Sequence, residues 1–176
     1  MRILVAGGTG FIGSLLGRRL VDQGHAVQVL TRDPERARQD IPHISKAFAW
    51  KANQVAPPLA AFADVDAVIN LIGESIGARA TPSRVSAVRE SRVLGTAHLV
   101  DALEKLSPRP GILINASAIG YYGDRGDEIL DERSEPGDDF MANLCRDWEM
   151  EASRAPCGPR RPSHPAPRSA APCRRA

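Results

Sequence analysis

Apolar residues along this chain fall into short strand-length runs separated by longer stretches of helical period. The run Ile3-Leu4-Val5-Ala6 predicts a strand over 2–6, and the spacing that follows predicts a helix over 11–23 and a strand over 26–31. A short helix is expected from Pro34, a third strand over 47–50, a fourth over 67–71 and a long helix over 83–106. The last two elements are a strand over 111–116 and a helix over 139–155. Strands rich in Val, Ile and Leu that alternate with helices indicate βαβ units, a parallel sheet and helices on both of its faces. The expected class is therefore α/β, doubly wound, with no internal repeat of solenoid length. Ile12, Leu15, Leu16 and Leu20 form the apolar face expected to pack the first helix on the sheet, and the small Gly13 is expected to allow the close approach.

The pattern stops near residue 155. Between 156 and 176 there is no Val, Ile, Leu, Met or Phe, and six prolines and five arginines fill the 21 positions. Proline removes N–H donors and fixes φ, so neither a regular helix nor a central strand is expected there. We read 1–155 as one folded domain and 156–176 as a disordered Pro/Arg-rich tail. A basic arm for nucleic acid is the lesser alternative, because Arg160, Arg161, Arg168, Arg174 and Arg175 have no aromatic residue interleaved for base stacking. The abrupt change to Pro, Arg, Ala, Ser and Cys is what a GC-rich gene yields out of frame, so a frameshifted or truncated product is expected, with a natural short form as the rival.

Composition narrows the class further. The 176 residues carry 23 basic and 21 acidic side chains, a formal charge of +2, which gives no overall footprint for nucleic acid. No apolar run approaches the roughly 18 to 20 residues that a membrane span needs. Three cysteines are too few for a disulfide framework and point to a reducing compartment, with the cytoplasm as the expected location. The histidines His25, His43, His98 and His164 show no metal spacing, and no metal site is expected.

The chemical signal is Gly7-Gly8-Thr9-Gly10-Phe11-Ile12-Gly13, a G-x-G-x-x-G loop between a predicted strand and a predicted helix. Glycines there permit a tight turn and close approach of backbone to a pyrophosphate, and the helix N-terminus offers free N–H groups and partial positive charge. A glycine-rich turn without a ligand is the plain alternative. The second strand ends at Leu30-Thr31-Arg32-Asp33, where a dinucleotide fold meets the adenosine ribose. A cation there suits the 2′-phosphate of NADP, whereas a carboxylate suits the 2′-hydroxyl of NAD. Arg32 favours NADP(H), and Asp33 keeps NAD(H) open. The stretches 70–75 and 115–122 each follow an apolar strand, so they belong at the carboxyl edge of the sheet where ligands bind.

GGTGFIG, LTRDP, DAVINLIGESI, ESRVLGT, INASAIGYYGDRG, LDERS and DDFMANLCRDWEMEA together resemble the extended short-chain dehydrogenase/reductase superfamily. More narrowly, they resemble its atypical NAD-dependent epimerase/dehydratase-like branch, the "epimerase family proteins". The resemblance covers about 1–155 and implies a Rossmann-like, NAD(P)-binding domain. It implies a cofactor set of Gly7, Thr9, Gly10, Phe11, Ile12, Gly13, Thr31, Arg32, Leu71, Ile72 and Gly73, of which the last three lie along the adenine and ribose side. It also implies an oxidoreductase or sugar-nucleotide-type epimerase of unknown substrate, working by hydride transfer.

For catalysis the resemblance singles out Ser117, where the fifth strand delivers a serine to the nicotinamide face, with a loop-capping hydroxyl as the alternative. Tyr121 is the second candidate, although Tyr121 and Tyr122 read more readily as packing residues beside a glycine turn than as bases. The superfamily's Tyr-x-x-x-Lys pair, in which a lysine depresses a phenol pKa from about 10, is missing. Aligning Glu149 with the glutamate that commonly follows the pair puts Met141 and Cys145 at its two positions, and no lysine follows Lys105. Cys145 is either a nucleophile or a buried inert thiol. The family's C-terminal substrate-binding segment is also absent. A cofactor-binding module or inactive fragment without turnover therefore stands beside the enzyme as the second class. A homodimer through 83–106 is expected by analogy, and a helix that simply covers the sheet is the alternative.

Overall fold

Each strand of the sheet sends alternate residues to opposite faces, and in the central strand β1 (Arg2–Ala6) both faces are apolar and buried. The computed structural model describes residues 1–77 and 81–156. Its strands β1, β2 (Ala26–Thr31), β3 (Lys46–Ala49), β4 (Ala67–Asn70) and β5 (Ile112–Asn115) form one parallel sheet in the order β3-β2-β1-β4-β5. Connecting them are α1 (Phe11–Asp22), α2 (Pro34–Asp40) and α3 (Pro82–Glu104), and α4 (Phe140–Ser153) follows β5. Two short 3-10 turns that the hydrophobic pattern does not reveal lie at Leu59–Phe62 and Ile119–Tyr122.

Ile3 and Val5 face one core, which they share with Val27, Val29, Ala37 and Ile41 and with Leu16 and Leu20 of α1. Leu4 and Ala6 face the other, formed with Trp50, Phe62, Leu99, Ala102 and Leu103. Helices thus cover both faces, which makes this a doubly wound, Rossmann-like α/β fold. α3 fills the covering role: its buried stripe runs from Val88 to Leu103 and packs on the sheet and on α4.

The packing of α1 corrects one expectation. Leu16 and Leu20 do pack on the sheet, but Ile12 and Leu15 are more than half exposed. The helix instead lays its two glycines inward. A Cβ on Gly17 would stand 2.9 Å from Ile41 Cδ1, and one on Gly13 would stand 2.3 Å from the Gly7 carbonyl oxygen. Close approach along Gly13 and Gly17 rotates Ile12 and Leu15, one residue before Gly13 and two before Gly17, off the buried stripe. The reading of 156–176 as a disordered tail falls, from residue 157 on, outside the described residues.

One buried polar cluster fastens the carboxyl edge of the sheet. Asn70, fully buried at the end of β4, donates through Nδ2 to Thr96 Oγ1 of α3 at 2.9 Å and to Asn115 Oδ1 of β5 at 2.6 Å. Trp148 Nε1 of α4 donates to the same Thr96 oxygen at 2.9 Å. Four elements converge on one hydroxyl–amide pair with no access to water. Thr96→Val keeps the shape and strands both donors, so it is expected to destabilise the fold by about 1–3 kcal/mol in chemical denaturation. Thr96→Ser keeps the acceptor and should lose only about 0.8 kcal/mol for the missing methyl group. Equal losses in the two variants would show that the hydroxyl contributes nothing.

Candidate functional site

The strand order reverses direction between β1 and β4, and the loops that leave these two strands part to opposite sides of the sheet, opening a crevice at its carboxyl edge. The β1–α1 loop is held in three places. Gly7 N donates to Leu30 O at 3.1 Å, Leu71 N donates to Ala6 O at 2.9 Å, and Thr9 Oγ1 lies 3.1 Å from Thr31 Oγ1. Gly7, Thr9, Thr31 and Leu71, four of the sequence candidates, are thereby brought together.

The loop's glycines answer to different constraints. Gly7 has φ +79°, and a Cβ on it would sit 2.8 Å from Leu71 O, so neither its conformation nor its surroundings admit a side chain. Gly13 is closed off by the loop's own backbone. Gly10 is exposed and extended, and the nearest atom to a Cβ there would be Gly7 O at 3.3 Å. The protein's own packing therefore demands less of Gly10 than of Gly7 or Gly13.

Helices α2, α3 and α4 begin with side-chain caps from Asp33, Thr81 and Asp139, whereas α1 begins at Gly10 with no side-chain cap and no acid in its first turn. Its amino end, with Phe11 and Ile12 exposed beside it, carries the partial positive charge of the helix into the crevice. These donors fit an anionic phosphate group. Asp33 is engaged: its carboxylate accepts from Arg36 N at 3.0 Å as the cap of α2. Arg32, by contrast, is three-quarters exposed, and its Nη1 lies 2.6 Å from Glu74 Oε1.

Below the loop that follows β4 lies an arginine whose chemistry the sequence did not disclose. Arg92 of α3 donates to Glu74 O at 3.0 Å and to Val88 O at 3.2 Å, and its guanidinium carbon stands 5.4 Å from the centre of the Trp148 ring. A Cβ on Gly73 would lie 2.8 Å from that carbon, so the guanidinium packs directly on the loop backbone. Burial lowers the Arg92 pKa, opposed by Coulombic attraction to Cys145 and Glu74. Its only signal in the sequence is an arginine within the buried stripe of a long helix. Glu74, the partner of Arg32, was equally silent, since nothing in its spacing ties it to residue 32.

At the other end of the crevice the candidates separate. Ser117 is exposed after β5, and its hydroxyl donates to the Glu149 carboxylate of α4. Tyr121 is half-buried in the 3-10 turn, edge-on to Tyr122 with ring centres 5.2 Å apart. Met141 packs beside Gly120 and against the small core of Val88, Val93 and Leu144. Cys145 is buried, and its thiol donates to Ala118 O at 3.8 Å. Neither of the two positions aligned with the Tyr-Lys pair can act as a phenol or an ammonium. Among the described residues, no three His, Cys, Asp or Glu side chains gather in a way that would hold a metal. No helix there is long and apolar enough to cross a membrane.

A crevice at the reversal of a doubly wound parallel sheet, edged by a glycine loop, defines the class as a dinucleotide-binding type of fold. The model of the NAD dependent epimerase/dehydratase family matches residues 3–155, and the chain belongs to that family. It is 37% identical over 165 residues to the epimerase family protein SDR39U1 homolog, chloroplastic, of Arabidopsis thaliana, covering 88% of this chain and 45% of that protein. The human epimerase family protein SDR39U1, solved with NADPH, superposes with a TM-score of 0.70 at 32% identity, over 86% of this chain and 48% of the other. A nucleoside-diphosphate sugar epimerase from Corynebacterium glutamicum superposes with a TM-score of 0.70 at 36% identity, over 88% and 31%. The chain spans about half the length of the curated relatives it matches.

Burial and the nearby Glu149 carboxylate push the Cys145 thiol pKa up, against a smaller lowering by its hydrogen bond to Ala118. The reactive thiolate therefore forms only at higher pH than for an ordinary cysteine. In the folded protein at pH 8, Cys145 should resist iodoacetamide and become labelled only after denaturation, as read by peptide mass spectrometry. Rapid native labelling would instead reveal an activated nucleophile.

Proposed function

We propose that this chain binds a nicotinamide dinucleotide, NADP(H) in preference to NAD(H), as an oxidoreductase- or epimerase-type member of its family. The observation that carries the reading is the conjunction, in one crevice, of an uncapped α1 amino end, an exposed Gly10 and an exposed Arg32 at the end of β2. The human relative solved with NADPH supports the cofactor class, while the family's own description names NAD. The capping of α2 by the Asp33 carboxylate supports Arg32, rather than Asp33, as the residue that meets the adenosine ribose.

In this reading Gly7, Thr9, Gly10, Phe11, Ile12 and Gly13 surround the pyrophosphate, which meets the N–H groups of the first turn of α1, while those of Gly7 and Gly10 stay bonded to Leu30 O and Gly7 O. Thr31 and Arg32 take the adenosine ribose and its 2′-phosphate, and Leu71, Ile72 and Gly73 line the ribose side. When bound, the dinucleotide supplies a hydride donor or acceptor. Ser117 is the chain's candidate for orienting a substrate oxygen; with its proton donated to Glu149, its oxygen can accept from a substrate hydroxyl. Tyr121 is the second candidate, half-buried on the turn that follows.

A second reading, binding without turnover, is favoured by a specific observation. Met141 and Cys145 fill the positions where the superfamily carries its proton-transferring pair, and both are occupied in packing. Purified protein titrated with NADPH and then assayed against a panel of carbonyl substrates separates the readings. Reduction of any substrate supports the enzyme, and binding alone supports the module.

Two variants test the binding site itself. Gly10→Val places a branched side chain where the cofactor must approach and is expected to abolish binding of both cofactors with unchanged helical circular dichroism; undiminished NADPH binding would refute the loop assignment. Arg32→Ala removes a charge-assisted bond and should weaken NADPH roughly 10- to 150-fold while leaving NADH nearly untouched. Equal losses would mean that Arg32 supports the fold, and a parent protein that prefers NADH at low salt would overturn the NADP(H) preference.

A further inference from the structure

The side chain opposite Arg32 has a role of its own. Arg32 and Glu74 stand 42 residues apart in sequence, one just after β2 and the other in the loop that follows β4, and their ion pair spans the mouth of the crevice at 2.6 Å. Glu74 is placed by its backbone: its N–H donates to Ser91 Oγ at 2.9 Å, and its carbonyl accepts from Arg92 at 3.0 Å. The carboxylate is left to face Arg32, and its charge also reaches Arg92. One carboxylate thus lies within the field of two guanidinium groups, the setting that a phosphate would occupy.

We propose that Glu74 is a specificity-determining residue, an internal counter-anion that holds Arg32 until a 2′-phosphate displaces it. The inference rests on the reading that Arg32 receives that phosphate. A carboxylate and a phosphate cannot both hold one arginine at this range without repelling each other, so the chain's preference for NADP(H) is the difference between two ion pairs. NAD(H) presents a hydroxyl there, which can donate to Glu74 and leave the ion pair in place. Glu74 therefore opposes the phosphorylated cofactor and tolerates the unphosphorylated one.

Glu74→Gln keeps the shape and leaves both backbone hydrogen bonds available. The dissociation constants of NADPH and NADH are measured by titration for the parent, Glu74→Gln, Arg32→Ala and the double variant. Glu74→Gln is expected to tighten NADPH about two- to fivefold, the range of an exposed ion pair. NADH should not tighten, so the preference between the cofactors widens. In the Arg32→Ala background the same change should tighten NADPH less than in the parent, because the competition for Arg32 is gone and only the direct repulsion between carboxylate and phosphate is relieved. Unchanged or weaker NADPH binding in Glu74→Gln overturns the proposal, as does equal tightening of both cofactors, which would show a general field effect. If Arg32→Ala selectively weakens NADPH while Glu74→Gln does nothing, only the role of Glu74 fails. If Arg32→Ala weakens both cofactors equally, the reading of Arg32 itself fails.

Discussion

A single buried amide organises the working edge of this molecule. Asn70 ends the strand next to the centre of the sheet, and its Nδ2 satisfies Thr96 of α3 and Asn115 of β5 at once. Because Thr96 also accepts from Trp148, the position of α4 follows from the same atom pair. In a site without water each donor must find a protein acceptor, and a fully satisfied cluster of this kind admits one arrangement of the elements it joins. The backbone after Asn70 then has little freedom: Ile72 N turns back to Asn70 Oδ1 at 3.4 Å, and Leu71 comes against Gly7.

From that anchor the crevice follows by contact. Leu71 O leaves no room for a side chain on Gly7, and Gly7 O leaves none on Gly13, so the β1–α1 loop and the start of α1 are stacked against the end of β4. The result is an edge made of backbone, with an uncapped helix amino end on one side and charged side chains on the other. Arg32, Glu74 and Arg92 form an alternating row of charges over this edge, with Arg92 fixed from below by Trp148. Backbone N–H groups suit any pyrophosphate, and in the proposed reading it is the charged row that distinguishes one dinucleotide from another.

The strands and helices were legible because they are short apolar runs and periodic stretches; that Asp33 and Asp139 cap α2 and α4 emerged only from the structure. Gly7 and Gly13 were legible too, since the turn and the tight stacking require them for reasons that hold wherever this loop occurs. Ile12 and Leu15 were misread. Periodicity counts apolar residues, but a helix that approaches its sheet through Gly13 and Gly17 buries the glycines and turns neighbouring apolar side chains outward. The pairs Asn70–Thr96, Thr96–Trp148 and Arg32–Glu74 were not legible at all. Their partners lie 26, 52 and 42 residues apart, and only the order in which the strands are laid down brings them together.

The central claim is that the crevice between β1 and β4 is a dinucleotide site held by backbone and by the row of charges. Amide-resolved NMR of the isotope-labelled full chain, titrated with NADPH, tests it most directly. The account predicts saturable shifts in the amides of 7–13, at Thr31 and Arg32 and across 71–74, with the amides of β3 and of the far ends of the strands little changed. Saturating NADPH that leaves those three segments unmoved, or moves only residues elsewhere, would contradict it.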